Sequence, residues 1–356
     1  MWLALGALSL PAGAVYAQSS VTLYGIVDNS VQYAGVGGTS TTRMDSGAVL
    51  PSRWGLIGKE DIGGGAAVIF KLENGFNGTS GTSLQNGAMF GREAWVGLRG
   101  AWGQIQGGVN YSPLHTTLVT YALGGVNTLS WGNAVTNFVN IPTLRLNNSI
   151  RYVSPSVAGF TVRAAYALGA NGSTTLPRTL GNTAAVGVNY SVGGFSADVD
   201  GMVQVYSPSS SVSASSPTST GNYVIAAAKY AFRYAIISAI FEAYRGGSTS
   251  GTSAGYANRD NDFYGLSALI PIDVGYLMLS FGQYKDLTVS DRDATSYGLR
   301  YDYQLSKRTA IYTGIATVRN GSAASFTVNG AAGSGVPVGK PGQNVVAVIA
   351  GITHSF

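Results

Sequence analysis

A period of two dominates the pattern of apolar and polar positions along this chain. In residues 296–305, Tyr297, Leu299, Tyr301, Tyr303 and Leu305 alternate with Ser296, Gly298, Arg300, Asp302 and Gln304. In residues 160–168, Phe160, Val162, Ala164, Tyr166 and Leu168 alternate with Thr161, Arg163, Ala165 and Ala167. Residues 145–152 set Ile150 and Tyr152 against Arg145, Asn147, Ser149 and Arg151, and residues 66–73 set Val68, Phe70 and Leu72 against Lys71 and Glu73. Trp54 and Leu56 oppose Arg53 and Lys59, while Phe195, Val199 and Val203 oppose Asp198, Asp200 and Gln204. Successive side chains of a strand point to opposite faces, so each stretch reads as a strand with one greasy and one polar face. Helical periodicity is scarce.

The connections alternate in length. Short ones read EDIGGG, RGAWG, SPSVAG, SVGG, PIDVG and LSKR; long ones occupy residues 35–49, 75–87, 111–144, 169–181, 206–221, 246–261 and 320–343. The segments between them amount to about sixteen strands, inside the range of outer-membrane barrels. In hydrocarbon every backbone N–H and C=O must be paired within the protein, which a closed sheet does without leaving an edge. The predicted architecture is all-β: a sixteen-stranded antiparallel transmembrane barrel, apolar outside and polar inside, with short periplasmic turns and long external loops. Tyrosines near strand ends suit the interfacial girdle.

Composition agrees. Of 356 residues only 10% are charged, 21 are Tyr, 50 are Gly and none is Cys. The last excludes disulfides and thiol chemistry. The formal charge is +5 without basic runs, which argues against a nucleic-acid partner. Residues 1–17 read as an export signal: an apolar core, then Val15 and Ala17 placed for cleavage before Gln18, although the usual basic start is missing. The barrel domain is then 18–356. In the last segment Val348, Ala350, Ile352, His354 and Phe356 share a face, and the terminal Phe356 reads as the signal that delivers barrels to the assembly machinery.

Several stretches resemble the trimeric general porins of β-proteobacteria: SSVTLYGIVDNSVQY, SRWGLIGKEDIGGGAAVIFKLENGF, FGREAWVGLRGAWGQIQGGVNYSP, RLNNSIRYVSPSVAGFTV, LSKRTAIYTGIA and GITHSF. The resemblance spans Ser19 to Phe356. It implies a homotrimer set in outer-membrane lipid and lipopolysaccharide, and a third loop, about Tyr111 to Leu144, folded into the pore. Its motifs place Arg53, Arg92 and Arg145 at the constriction. Alternation independently puts Arg53 and Arg145 on the wet face, whereas Arg92 shares parity with Ala94, Val96 and Leu98. Such porins often carry acids on the inserted loop; here no Asp or Glu occurs between Glu93 and Asp198, and the loop offers His115, Asn127 and Trp131 instead. Glu73 and Glu93 are the nearest carboxylates by sequence, and Glu73 shares Arg53's inward parity.

Arginine keeps its charge at physiological pH. Against lipid it would cost roughly 2–4 kcal/mol at the midplane. In a hydrated lumen it attracts anions, and Arg151, Arg163, Lys71, Asp198, Asp200, Arg300 and Asp302 join the lumen-facing set. The function expected is a passive, anion-preferring diffusion channel for small hydrophilic solutes and ions. Two alternatives remain: a substrate-specific channel for small organic acids or phosphate, and a surface adhesin or structural barrel. Enzymatic function is not expected. The chain has only two histidines, and His354 lies on an apolar face, so no nucleophile–base pair emerges. In GLIGKE, Glu60 replaces the Ser or Thr of a phosphate loop. No metal-site spacing and no cofactor motif is present.

Overall fold

The computed structural model describes residues 19–123, 145–169, 172–207, 212–246, 260–328 and 339–356. The export segment 1–17 and the loop residues Asn127 and Trp131 lie outside these residues.

The described chain forms one closed antiparallel sheet. Its strands are β1 (Ser20–Val36), β2 (Thr39–Ser46), β3 (Arg53–Gly63), β4 (Ala66–Gly75), β5 (Glu93–Gly100), β6 (Gly103–Tyr111), β7 (Arg145–Val153), β8 (Phe160–Ala167), β9 (Thr183–Val192), β10 (Phe195–Tyr206), β11 (Ser219–Ala231), β12 (Ile236–Arg245), β13 (Asn261–Ile272), β14 (Gly275–Asp286), β15 (Ala294–Ser306), β16 (Thr309–Asn320) and β17 (Val345–Ser355). Apart from β2 and β3, which do not pair with each other, each pairs with its sequence neighbours, and β1 against β17 closes the circle from Ile26–Ser355 to Val36–Val345. β2 pairs with the second half of β1 and β3 with the first half. The two therefore share one barrel position, and the wall has sixteen.

That arrangement corrects one expectation. Residues 35–49 are not a long loop: β1 turns at Gly37–Gly38 straight into β2. The excursion comes later, where residues 47–50 tuck inward onto Asp28. Its carboxylate accepts the Ala48 and Leu50 N–H groups at 3.1 and 3.2 Å and the Tyr312 hydroxyl at 2.8 Å.

Side chains sort by parity as a membrane barrel requires. Outward positions such as Val96, Ile150 and Leu266 are half or more exposed, while inward Asp28, Gln32, Glu73 and Asp198 are buried. Alternation fails at Asn147–Asn148, where Asn148 takes a positive φ of 51° and the β6–β7 register shifts. Asn147, expected on the wet face, is therefore displaced.

After β6 a short helix, α1 (Pro113–Tyr121), enters the lumen. Ser112 caps it by accepting the His115 N–H at 3.1 Å, and Pro113 occupies its first turn, where no N–H is needed. Leu114, Leu118 and Tyr121 are fully buried, and α1 packs against the inner wall of β8–β12. The described part of the third loop thus lies inside the barrel.

Candidate functional site

Opposite α1 the inner wall of β3–β7 carries a polar cluster centred on Glu73 of β4. Arg92 precedes β5 and turns inward; its Nε donates to Glu73 Oε1 at 2.6 Å. The parity conflict at Arg92 disappears because the residue stands ahead of the strand, whose outward positions Ala94, Val96 and Leu98 are correctly apolar. Arg53, the first residue of β3, holds its Nε 3.9 Å from Glu73 Oε2, and Lys71 Nζ stands 3.4 Å from the same oxygen. The Tyr24 hydroxyl donates to Glu73 Oε2 at 2.6 Å. The Tyr111 hydroxyl accepts from Arg92 Nη2 at 2.9 Å and donates to Glu73 Oε1 at 3.4 Å.

Arg145 opens β7 directly across from Tyr111, the last residue of β6. Its guanidinium lies over the Tyr111 ring, 5.3 Å from the centroid, and its Nε has no hydrogen-bond partner. Lys71 also pairs with Glu93, whose other oxygen accepts the Trp95 indole N–H at 3.0 Å. Among the described residues the cluster therefore sets Arg53, Lys71, Arg92 and Arg145 against Glu73 and Glu93. Two positive charges remain uncancelled.

His115 adds none. Burial, with the Arg145 and Arg92 charges next, holds its imidazole well below the ordinary histidine value, so it is neutral at pH 7. Its ring lies 4.2 Å from that of Tyr111.

The other predicted lumen residues face inward, but several have partners that remove them from the site. Arg163 bonds both Asp198 and Asp200, the latter at 3.1 Å, and donates to Thr117 Oγ1 of α1 at 3.0 Å. Thr117 in turn bonds Asp200. Arg163, Gly187 and Asp200 lie in one cross-strand row over β8, β9 and β10. A Cβ at Gly187 would collide with the Asp200 carboxylate, so the glycine is what lets the pair meet across an intervening strand. Arg163, Asp198 and Asp200, expected to face the lumen, do point inward, and there they tether α1 to the wall. Arg300 and Asp302 form a two-bond fork at 2.7 and 2.9 Å. Arg151 reaches Thr116 Oγ1 at 3.4 Å.

Sequence reasoning passed over Tyr24, Tyr111 and Thr117. Tyr24 shares parity with the inward Asp28 and Ser30, a signal the sequence does carry. Tyr111 and Thr117 do not announce themselves, since one ends a strand and the other lies on a loop helix.

The Gram-negative porin family profile matches residues 3–323. An outer membrane porin protein 32 of Delftia acidovorans is 30% identical over 97% of this chain and 96% of its own length. The chain belongs to the Gram-negative porin family. It is an outer-membrane protein of that family. Other relatives align over about half their length: an outer membrane porin of Bordetella pertussis is 34% identical over 45% of this chain and 46% of its own. Among solved structures, the anion-selective porin of Comamonas acidovorans superposes with a TM-score of 0.79 at 28% identity, covering 95% of this chain and all of the other. The trimer form of Vibrio cholerae OmpT shares the fold at 15% identity, with a TM-score of 0.64 and coverage of 95% and 99%.

Proposed function

We propose that the chain forms a water-filled passive channel for small hydrophilic solutes and ions, with a preference for anions set at the Glu73 cluster. The observation that carries this reading is the charge balance there: four cations to two carboxylates, with Arg53 and Arg145 as the surplus. In water-like dielectric one unit charge about 6 Å from a monovalent anion contributes roughly 0.7 kcal/mol. Two give about 1.4 kcal/mol, roughly tenfold in local anion occupancy before screening. Low-dielectric walls strengthen the field, and salt weakens it over about 8–10 Å. An attraction of this size lets the ion leave as well as enter. The Comamonas relative's description as anion-selective supports the same reading.

A substrate-specific channel would need binding groups facing the solute. The inner aromatics Tyr223, Tyr244, Phe263 and Tyr284 form a row on β11–β14, yet all are buried, so they favour wall packing over solute contact. The test is the reversal potential across a planar bilayer under a KCl gradient. Anion preference supports the proposal, and cation preference or absence of conductance rejects it.

Four further readings complete the proposal. Three copies assemble, as the trimer form among the structural neighbours suggests. Residues 1–17 direct export and are removed. Phe356 is read by the assembly machinery. The mature barrel contacts lipopolysaccharide in the outer leaflet.

A further inference from the structure

In the described strands, alternation places five charged residues on the outer wall: Glu60, Arg245, Asp262, Lys285 and Arg319. Glu60 sits at the short-turn end. The other four crowd the long-loop end of β12, β13, β14 and β16. The pairing registers lay out what lies beneath them. Asp262 is opposite Lys285, and one step down Tyr264, Gln283, Thr295 and Arg319 are opposite one another in turn. One further step toward mid-membrane, Leu266, Phe281, Tyr297 and Thr317 are opposite one another in turn. The next step down is Leu279, Leu299 and Ile315. The wall thus grades from charged and polar through aromatic to aliphatic over four rows, as a membrane interface does.

The four charges are not equivalent. Arg245 Nη2 pairs with Asp262 at 2.7 Å, and its Nη1 donates to two backbone carbonyls, so those two residues satisfy each other. Lys285 is exposed and has no hydrogen bond or ion pair among the described residues. Arg319 is exposed too; its contact is with the Tyr297 ring, 5.5 Å from the centroid. Two free cations therefore stand two strands and one row apart, roughly 12 Å, above an apolar wall.

We propose that Lys285 and Arg319 bind the phosphate of an outer-leaflet lipid. The cations would hold the phosphate while the Tyr297–Phe281 row carries the apolar body beneath it. A free anion would gain only the charges, screened by water, which is why the occupant is a lipid. This inference rests on the lipopolysaccharide contact proposed above and is independent of anion preference.

The test reconstitutes the full protein in phosphatidylcholine vesicles holding a small fraction of spin-labelled lipid A, a bis-phosphorylated glycolipid. The relative association of lipid A over phosphatidylcholine is read from the immobilised spectral component. Wild type should prefer lipid A, and Lys285→Gln and Arg319→Gln should each lower the preference about fivefold. Unchanged conductance of the double variant shows that its barrel is folded. Equal preference in wild type and folded double variant overturns the site. Displacement by inorganic phosphate beyond that by chloride at matched ionic strength would make it a free-anion site and overturn the lipid assignment. If phosphatidylglycerol competes while neutral lipids do not, phosphate recognition is upheld. If lipid A shows no preference even in wild type, the lipopolysaccharide contact itself fails.

Discussion

Glu73 Oε1 accepts the Arg92 Nε–H at 2.6 Å, and both side chains are buried. This pair fixes the chemistry of the pore wall. It neutralises one arginine and, through Tyr24 and Tyr111, orients the cluster in which Arg53 and Arg145 are left in excess. A buried ion pair gains its rigidity from full hydrogen bonding, and breaking one partner strands the other.

Replacing Glu73 by Gln should therefore do two things. It adds one uncancelled charge, raising local anion occupancy about threefold by the same Coulomb arithmetic and shifting the reversal potential toward stronger anion preference. It also strands Arg92 at a cost of about 1–3 kcal/mol, read as a lower urea midpoint for barrel unfolding. A variant with unchanged selectivity would detach Glu73 from the conduction path.

The α1 tether makes a different prediction. Thr117→Val removes the acceptor for Arg163 and the donor to Asp200 without touching the Glu73 cluster. The helix should loosen by about 1–3 kcal/mol. Single-channel records should show more open-state noise and more spontaneous closures, with the reversal potential unchanged. A shift in selectivity alone would mean that Arg163 faces the solute after all.

His115 should leave the pH response alone. Its folded value is depressed, so the unfolded chain takes up a proton first as pH falls through about 6.5. In the folded pore it stays neutral in that window, and its share of stability declines toward acid rather than rising. Reversal potentials of wild type and His115→Gln measured from pH 8 to pH 6 should superimpose. An anion preference that rises on acidification in wild type but not in the variant would show that His115 takes up charge.

Closure of the barrel depends on a glycine. The Phe356 backbone exchanges two hydrogen bonds with Gly25, at 3.0 and 3.1 Å, and its ring lies where a Gly25 Cβ would be. Gly25→Ala should reduce the folded fraction seen by heat-modifiable electrophoretic mobility. In Phe356→Leu the same change should cost less, a coupling that a double-mutant cycle reads directly. Additive effects would separate the two residues.

Much of this was legible in the sequence, because period two is a property of the strand itself. The inward Arg53, Glu73, Lys71, Arg163, Arg300 and Asp302 followed from parity. Parity was silent wherever the backbone left the regular strand. Arg92 lies before β5, and Asn147 adjoins a residue of positive φ. β2 escaped notice because TSTTRMDS is polar on both faces, so it reads as loop although it hydrogen-bonds to β1 along its whole length. Partnership was the least legible feature. Arg163 meets Asp200 across 37 residues and an intervening strand, which only the register and the absence of a side chain at Gly187 permit.

The most direct test is the reversal potential of Arg53→Ala combined with Arg145→Ala, measured beside wild type under one KCl gradient. Removing both surplus charges leaves Lys71 and Arg92 balanced by Glu73 and Glu93. Wild type should favour chloride by roughly tenfold at low salt, and the double variant should approach equal permeability. A double variant as anion-selective as wild type, or a cation-selective wild type, would contradict the account.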